Sequence, residues 1–343
     1  MKRSYNLAFG MKSISNLAAA LNKKALKDPS IKLTDGTEEL AFILNNEKPI
    51  DSFRFPGGTI SFEADISAEG DGDRKTNKYT LTPNPKNYLY LYAKLVSKLK
   101  YKPKTIICLN LYRHLAQKNH LDGTENTLLY LSEAVRLLGA ENIYAVEMGN
   151  ELFMHTVCNG IKGALTSINR ASFNKAMQKY QGICNYLIPQ ITKICPNAII
   201  CVPVEGCMSE RGNEWNKGVT QIKGVTGICP HFYCISIKNV EEELPLKTSI
   251  RIKEGNTSII KSLQPKFKVL VTEYNYKFGS YGEENKIIFG TEKHYEIINK
   301  IQSLGIEMGF DTGCFHSLLQ EIPAKVYGQF VIHEGKIVKR LDL

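Results

Sequence analysis

Short apolar segments rich in β-branched residues alternate with segments of helical periodicity along almost the whole chain. Eight segments have the length and composition of strands, and a helix candidate follows each of the first seven. The strand candidates are residues 5–9, 52–55, 105–111, 143–148, 198–204, 227–235, 268–272 and 308–318. Because strands that alternate with helices form parallel sheets, eight such units predict an α/β fold, a closed (β/α)8 TIM barrel.

The helix candidates set the expected limits of the barrel, and they are residues 38–44, 87–99, 124–138, 172–194, 210–222, 248–263 and 291–304. Pro189 is expected to kink or end the fourth of these, because proline removes a backbone donor and clashes with the preceding turn. No eighth helix is evident after the last strand, and residues 329–332 and 336–340 instead flank Glu334-Gly335 and predict a β-hairpin. We therefore assign residues 1–320 to a barrel that lacks its last helix and residues 321–343 to a hairpin tail. Three alternatives stay open for that face: the hairpin covers it, a partner chain in an oligomer or larger assembly covers it, or the barrel is incomplete.

Size and local composition argue against several classes of protein. A barrel takes about 250 residues, so the 343 residues suffice for one catalytic domain with long loops. No Gly-x-Gly-x-x-Gly follows the first strand and no Walker A motif occurs, so we expect no cofactor. No segment reaches the roughly 20 apolar residues of a membrane span, and the N-terminal apolar stretch is too short for a signal peptide.

Charge and cysteine content bear on the partners and the compartment. The net charge of +10 comes from 44 Lys+Arg against 34 Asp+Glu, but the lysines are spread along the chain, so nucleic acid is not an expected partner. A basic balance agrees instead with an anionic substrate. The nine cysteines form no Cys-x-x-Cys pair and no Cys/His cluster of zinc spacing, so no metal site is expected. Free thiols favour a reducing compartment, which fits a cytoplasmic or phage-associated protein.

Two glutamates each follow an apolar, strand-like run. Glu151 comes after residues 143–149, and Glu273 comes after residues 267–272. A carboxylate at the end of a buried strand is costly unless a site uses it, because burial disfavours the charged form. Since the C-terminal ends of barrel strands share one face, where barrel enzymes carry their active sites, the pair predicts an enzyme that uses two carboxylates.

Other polar residues keep the same phase along the chain. Tyr233 precedes Glu273 by 40 residues and His316 follows it by 43, which is one β/α unit in each direction. The spacings from Arg54 to Glu151 and from Glu151 to Tyr233 correspond to two units each. One period therefore places these five residues at the ends of strands 2, 4, 6, 7 and 8.

Four motifs in this order resemble the glycoside hydrolases whose (β/α)8 barrels carry the acid/base on strand 4 and the nucleophile on strand 7. The motifs are Arg54-Phe55-Pro56-Gly57-Gly58-Thr59, Gly149-Asn150-Glu151, His231-Phe232-Tyr233 and Thr272-Glu273-Tyr274-Asn275. Within that clan, the first motif is most similar to the heparanase/β-glucuronidase and α-L-arabinofuranosidase branches. The resemblance extends from about residue 5 to residue 319.

The resemblance implies a retaining mechanism, which needs two carboxyl groups about 5–5.5 Å apart. Glu151 matches the acid/base, and Glu273 matches the nucleophile. Arg54 and Tyr233 match residues that hold the nucleophile charged and hydrogen-bonded. Asn150 matches the residue that binds the sugar 2-hydroxyl, a contact that strengthens in the transition state. The glycines of the first motif let the backbone approach the site closely.

His231, His316 and Asn110 are further candidates for substrate binding, and each candidate has a structural alternative. The two histidines can be core residues with satisfied hydrogen bonds. Asn110 can cap a turn rather than bind sugar. Arg54 can pair with a core carboxylate, and Tyr233 can be a packed tyrosine at the barrel rim.

Three features of the sequence have less specific interpretations. Glu63, Asp65 and Glu69 lie in a polar loop and are expected to be solvated. Trp215 can form a sugar platform or a contact between a helix and the barrel. Many members of the clan carry a tryptophan at the end of strand 8, where this chain has Cys314-Phe315-His316-Ser317.

The sequence supports two hypotheses from different classes. The first is a retaining glycoside hydrolase that cleaves O-glycosidic bonds of a poly- or oligosaccharide without a metal, with an anionic, uronide-containing glycan favoured by the basic charge. The second is a catalytically silent barrel that binds glycans or serves as a structural component, for instance of a phage particle, since fold does not fix function.

Overall fold

The computed structural model of the chain describes residues 2–7, 10–28, 30, 32–62, 64–69, 80–155, 167–205, 210–234, 241, 252–254, 257–259, 267–276, 291–321, 329–333 and 336–339. Their strands are β1 Lys2–Asn6, β2 Ser52–Phe55, β3 Lys104–Cys108, β4 Ile143–Glu147, β5 Ile199–Pro203, β6 Gly227–Cys229, β7 His231–Cys234, β8 Ile252–Glu254, β9 Thr257–Ile259, β10 Lys268–Tyr276, β11 Thr312–His316, β12 Leu319–Glu321, β13 Phe330–His333 and β14 Lys336–Lys339. Their α-helices are α1 Gly10–Ala25, α2 Thr37–Leu44, α3 Tyr88–Ser97, α4 Tyr112–Ala116, α5 Thr124–Leu138, α6 Leu152–His155, α7 Ser167–Ile194, α8 Glu210–Thr220 and α9 Glu292–Glu307.

The main sheet is a closed parallel barrel, as the sequence predicts. Strands β1 to β6 pair in chain order, β6 pairs with β10, and β11 pairs with both β10 and β1, so no edge remains open. The strand predicted over 227–235 is divided into β6 and β7, which both pair with β10 and together fill the sixth barrel position. Pro230 lies between them, and proline has no N–H to donate to a sheet ladder.

The barrel interior is filled by small and sulfur-containing side chains. A cluster on six of the strands packs in the centre, consisting of Ile106, Ala145, Cys201, Cys229, Leu270 and Cys314. Hydroxyl groups line part of the interior near the strand beginnings, where Ser4 Oγ lies 2.6 Å from Ser52 Oγ and 2.8 Å from Thr312 Oγ1. Hydrogen bonds between buried polar groups offset the cost of removing those groups from water, so these hydroxyl groups fit within a packed core.

The helices cover the outside of the barrel, and α1 and α7 are among those that differ from expectation. Helix α1 was not among the helix candidates, although Met11, Ile14 and Leu17 follow helical spacing and are buried. Helix α7 does not end at Pro189 but continues for five more residues to Ile194. None of the described helices is long and apolar enough to span a membrane.

The helix predicted over 248–263 is wrong where the structure describes this segment. Strands β8 and β9 lie there and pair with each other in antiparallel register, Glu254 opposite Thr257. The sequence carries the signal for this, because Gly255-Asn256 between β-branched residues is typical of a two-residue hairpin loop.

The hairpin predicted for the C-terminal tail is confirmed. Strands β13 and β14 pair antiparallel, and β12 adds a third strand parallel to β13. Lys339 Nζ lies 2.8 Å from Glu47, so this small sheet contacts the loop after α2. Among the residues described after β11, all regular structure is strand, and the boundary between barrel and tail at residue 320 stays a prediction.

Candidate active site

The barrel register brings the predicted strand-end residues to one rim. Asn6 of β1 lies opposite Arg54 of β2 and also opposite His316 of β11. Glu273 of β10 lies opposite His231 of β7. Strands 2, 4, 6, 7 and 8 of the barrel therefore present their polar residues at the same C-terminal face, as the spacing along the chain predicts.

A strained turn positions Glu151 after β4. Gly149 has φ 92°, a conformation that L side chains rarely adopt, and a Cβ there would press on the Leu152 side chain, so the position favours glycine. Glu151 has φ 42°, and among the described residues it is the one non-glycine residue with positive φ. This conformation costs about 1–2 kcal/mol for an L-residue, and such strain is concentrated at functional sites. The side chain of Glu151 remains 21% exposed.

Glu273 is held by three donors from three other strands. Its Oε1 accepts hydrogen bonds from Arg54 Nη1 at 2.5 Å and from Asn6 Nδ2 at 3.1 Å. Its Oε2 accepts one from the hydroxyl of Tyr233 at 2.6 Å. Burial raises the pKa of Glu273, but electrostatic interactions with His231, His316 and Arg54 outweigh burial and lower this pKa to about 2. Glu273 is therefore a carboxylate at neutral pH.

Glu151 and His231 form a hydrogen-bonded pair. His231 Nδ1 lies 2.8 Å from Glu151 Oε1, and His231 Nε2 lies 3.0 Å from Thr272 Oγ1. Because the Thr272 hydroxyl donates to Glu147 Oε1 at 3.3 Å, it accepts from Nε2, which therefore carries a proton. Burial lowers the pKa of His231, yet the charges of Glu273 and Glu151 raise it overall. A proton on His231 Nδ1 would point at Glu151 Oε1.

The sequence interpretation missed Glu147, which has no solvent exposure. Arg54 donates to it from two nitrogens, Nε to Oε2 at 2.6 Å and Nη2 to Oε1 at 2.8 Å. Arg54 was expected to contact either the nucleophile candidate or a core carboxylate. It makes both contacts, to Glu273 and to Glu147. The missed signal was alternation, since Ala145 and Glu147 share the inward-facing side of β4, and a charge there needs a partner.

Asn150 and His316 lie at the same centre. Asn150 Oδ1 accepts from Arg54 Nη2 at 2.8 Å, and the Asn150 side chain is 1% exposed. The ring of His316 lies edge-on to Tyr233, with 6.1 Å between centroids. Burial lowers the pKa of His316, and although the charge of Glu273 raises it, Arg54 and His231 add to the lowering.

Two further polar residues that the sequence interpretation did not single out secure the end of β10. Asn275 Nδ2 donates to the carbonyl oxygen of His316. His294 of α9 lies with its Nε2 2.9 Å from Asn275 Oδ1. This chain of contacts joins strands 7 and 8 of the barrel beside the site.

Asn110 and Asp65 hold the loop that follows β2. Asn110 Nδ2 donates to the carbonyl oxygens of Phe62 and Ala64, and no described hydrogen bond joins Asn110 to the glutamate pair. Asp65 was expected to be solvated, but it is buried and its Oδ2 lies 2.6 Å from Arg113 Nη1. Glu69 is exposed and pairs with Lys86, whereas Glu63 lies outside the described residues.

Two other expectations are settled by packing. Trp215 is fully buried between a helix and the barrel, and its Nε1 donates to the carbonyl oxygen of Pro203 at 2.7 Å, so it is not a sugar platform. Gly57 does approach the site closely, since its φ is 62° and a Cβ there would lie 2.7 Å from Asn6 Oδ1 and 3.1 Å from Arg54 Nη1.

Glu151, His231 and Glu273 also form a group of side chains that could hold a metal ion. One ligand atom of each lies within 4.8 Å of the other two. Carboxylate oxygen and imidazole nitrogen are ligands of zinc and of non-haem iron. The expectation of a metal-free site stays a prediction.

Comparison with solved structures places this geometry in a known fold. A β-glucuronidase from Bacteroides uniformis aligns over 87% of this chain and 31% of its own, with a TM-score of 0.53 and 12% identity. A family 51 α-L-arabinofuranosidase from Bifidobacterium longum aligns over 91% and 65%, with a TM-score of 0.51 and 9% identity. A β-glucosidase from Thermotoga maritima aligns over 85% and 80%, with a TM-score of 0.51 and 10% identity.

These likenesses show a shared (β/α)8 barrel fold, which confirms the fold expected from the sequence motifs. The chain spans less than a third of the length of the β-glucuronidase. No protein-family model and no curated protein matches the sequence.

Proposed function

We propose that this chain is a retaining glycoside hydrolase with Glu151 as acid/base and Glu273 as nucleophile. The observation that carries this proposal is the separation of the two carboxyl groups, because one oxygen of each lies within 4.8 Å of the other. Retaining enzymes hold their carboxyl groups about 5–5.5 Å apart, whereas inverting enzymes need about 6.5–9.5 Å to admit a water molecule. The separation supports the retaining mechanism.

In the first step, Glu273 attacks the anomeric carbon while Glu151 transfers its proton to the glycosidic oxygen. The bond between that oxygen and the anomeric carbon breaks, and the departing group leaves as an alcohol. Among the described contacts, Glu273 Oε2 accepts one hydrogen bond and Oε1 accepts two, so Oε2 is the attacking oxygen. A covalent glycosyl ester forms on Glu273.

In the second step, Glu151 acts as the base. It removes a proton from a water molecule, whose oxygen attacks the anomeric carbon and breaks the ester to Glu273. The product sugar leaves with its original anomeric configuration, and Glu151 regains its proton. The contact with His231 supports both roles, because an imidazole at hydrogen-bonding distance can give a proton to Glu151 or take one from it.

The remaining side chains orient the reacting groups. Arg54 and Asn6 keep the Glu273 carboxylate ionised and fixed before attack. Because Arg54 holds Asn150 through its Oδ1, the amide nitrogen of Asn150 is the group left to donate to the sugar 2-hydroxyl. That contact strengthens as positive charge develops on the sugar ring.

For the substrate we propose an anionic glycan that contains uronic acid. The net charge of +10 and the fold shared with a β-glucuronidase support this class. The test is incubation of the wild-type protein with a panel of activated 2-deoxy-2-fluoro glycosides, including a glucuronide, an arabinofuranoside and a glucoside, followed by mass spectrometry of peptides. A glycosyl ester on Glu273 is expected, and the sugar that labels fastest identifies the class.

Two outcomes would overturn the proposal. One is labelling of a residue other than Glu273 as the major product. The other is undiminished turnover of aryl glycosides by both Glu151→Gln and Glu273→Gln. Absence of labelling and turnover across the whole panel would favour the catalytically silent barrel.

A further inference from the structure

Glu147 is a buried carboxylate for which the two catalytic steps above have no use. Its side chain has no solvent exposure, and it lies at the inward-facing end of β4, four residues before Glu151. A buried charge costs several kcal/mol unless it is paired and hydrogen-bonded. Glu147 meets that requirement through Arg54 on one side and Thr272 on the other.

The first side determines how Arg54 distributes its donors. Glu147 occupies Nε and one proton of Nη2 in a two-point contact, and Asn150 accepts from Nη2 as well. Only Nη1 remains for Glu273. Arg54 therefore gives Glu273 one charge-assisted hydrogen bond, although the guanidinium geometry offers two parallel ones to a carboxylate.

The second side reaches Glu151. Glu147 Oε1 accepts from the Thr272 hydroxyl, which accepts from His231 Nε2, and His231 Nδ1 meets Glu151. His231 Nε2 also lies 4.0 Å from Glu147 Oε1 directly. A negative charge at that distance favours the protonated imidazole.

We propose that Glu147 is a positioning residue that orients both glutamates of the site, Glu273 through Arg54 and Glu151 through Thr272 and His231. It occupies Nε and Nη2 of Arg54, so Glu273 keeps its contact with Nη1 but is not locked in a two-point ion pair that would hold both of its oxygens. Through Thr272 it also fixes the ring of His231, whose Nδ1 contacts Glu151. The kinetic consequences rest on the proposed glycosidase function, whereas the geometry and the protonation do not.

The test compares Glu147→Gln, which keeps the shape but removes the charge, with Glu147→Asp, which keeps the charge on a shorter side chain. The matched control is Asp65→Asn, because Asp65 and Arg113 form another buried ion pair, 2.6 Å long and 3% exposed on each side, away from the glutamate pair. The control measures what loss of any buried pair does to folding. Melting temperature is expected to fall in Glu147→Gln and in the control alike.

Two readouts need no substrate. In crystal structures, Arg54 of Glu147→Gln is expected to turn toward Glu273 with two nitrogens and to lose its contact with Asn150. In NMR titrations of the histidine rings, assigned with His231→Asn, the pKa of His231 is expected to fall in Glu147→Gln, because a neighbouring negative charge is lost. The charged groups that face His231 are Glu147, Glu151, Glu273, Arg54 and His316. Glu147→Asp is expected to keep most of the His231 shift, and Asp65→Asn all of it.

The third readout uses the fluoro glycoside that reacts with the wild type. The measured quantity is the rate constant of labelling per active site, which is the labelling rate divided by the final number of labelled sites. Removal of a preorganised charged group from an active site commonly costs about 10²-fold, and we expect a loss of this size in the rate constant for Glu147→Gln with complete final labelling. The labelling rate constant of Glu147→Asp should lie between those of Glu147→Gln and the wild type.

An unchanged Arg54 and an unchanged His231 pKa in folded Glu147→Gln would overturn the inference and reduce Glu147 to a structural residue. So would a labelling rate constant per site equal to that of the wild type. If the wild type itself labels with no sugar, the proposed function fails, and the first two readouts still decide the role of Glu147.

Discussion

The hydroxyl of Tyr233 lies 2.6 Å from Oε2 of Glu273, on the side of the carboxylate that faces His231. Arg54 and Asn6 bind the opposite oxygen, so the two oxygens of Glu273 have different surroundings. The oxygen with the single neutral donor lies 3.7 Å from His231 Nδ1, the atom that contacts Glu151. The carboxylate is thus oriented before any sugar arrives.

Replacement of Tyr233 by phenylalanine should slow the chemistry more than it weakens binding. A hydrogen bond to a charged group contributes about 1.5–3 kcal/mol, so we expect kcat to fall about 10- to 100-fold with little change in KM. Steady-state kinetics on the reactive aryl glycoside measures both. Tyr92→Phe is the control, because its hydroxyl meets Thr105 Oγ1 at 2.7 Å in the core, away from the site. Equal losses of kcat in the two variants would contradict an orienting role for Tyr233.

Glu151→Gln and Glu273→Gln should fail in different ways. General acid catalysis contributes about 10²–10⁴-fold, and substrates with acidic phenol leaving groups need none of it in the first step. Glu151→Gln is therefore expected to keep a rapid first burst of phenol release with such substrates and to regain turnover with azide, which needs no base. Glu273→Gln should show neither burst nor azide rescue, and the absorbance of released phenol reports both. Azide rescue of Glu273→Gln but not Glu151→Gln would reverse the two assignments.

The depressed pKa of Glu273 predicts how stability depends on acid pH. Its folded value of about 2 lies below the usual 4.5, so the ionised form is favoured by folding. This contribution is fully present above pH 4.5 and is lost as the pH falls toward 2. Calorimetric melting temperatures of the wild type should therefore fall through this window more steeply than those of Glu273→Gln, which has no carboxyl group to protonate there. Parallel curves would show that Glu273 is not held as a carboxylate by its neighbours.

Gly57→Ala should damage the site rather than the fold. Position 57 has φ 62°, and the new methyl group would press on Asn6 and Arg54. Displacement of catalytic groups by about 1 Å can cost 10²-fold in rate, so we expect kcat to fall at least about 10-fold. Gly309→Ala is the matched control, since its φ of 70° brings the same backbone strain but its Cβ would meet nothing within 4 Å. Similar melting temperatures with different kcat values would separate crowding of the site from strain, whereas equal kcat values would contradict the close approach.

The sequence was sufficient for the barrel because its strands are buried on both faces and appear as short apolar runs. It was also sufficient for the positions of Glu151 and Glu273, since strand-end residues recur with the period of a β/α unit. Asn6 and Glu147 were missed for a different reason. Each is the last residue of its strand, but its importance depends on which partner the neighbouring strands bring to it, and periodicity along one segment does not contain that information.

Two local errors have different origins. The segment over 248–263 has apolar residues at spacings that fit a helix, but the antiparallel pairing of β8 with β9 decides its conformation. Asp65 was assigned to solvent because its loop is polar, and its burial depends on Arg113, 48 residues further along the chain. A tertiary partner determines the burial of Asp65, whereas a local turn signal, Gly255-Asn256, was available for the hairpin.

The seam between β1 and β11 has a consequence for synthesis of the chain. Ser4 and Thr312 are in contact there, although 308 residues separate them along the chain. Strand β1 therefore cannot pair with β11 until the ribosome has made nearly all of the barrel. Until then, the nascent sheet has two exposed edges that can pair with other chains. Ribosome-bound intermediates should therefore depend on chaperones until residue 316 has emerged, and slow translation of the last β/α unit would prolong that dependence.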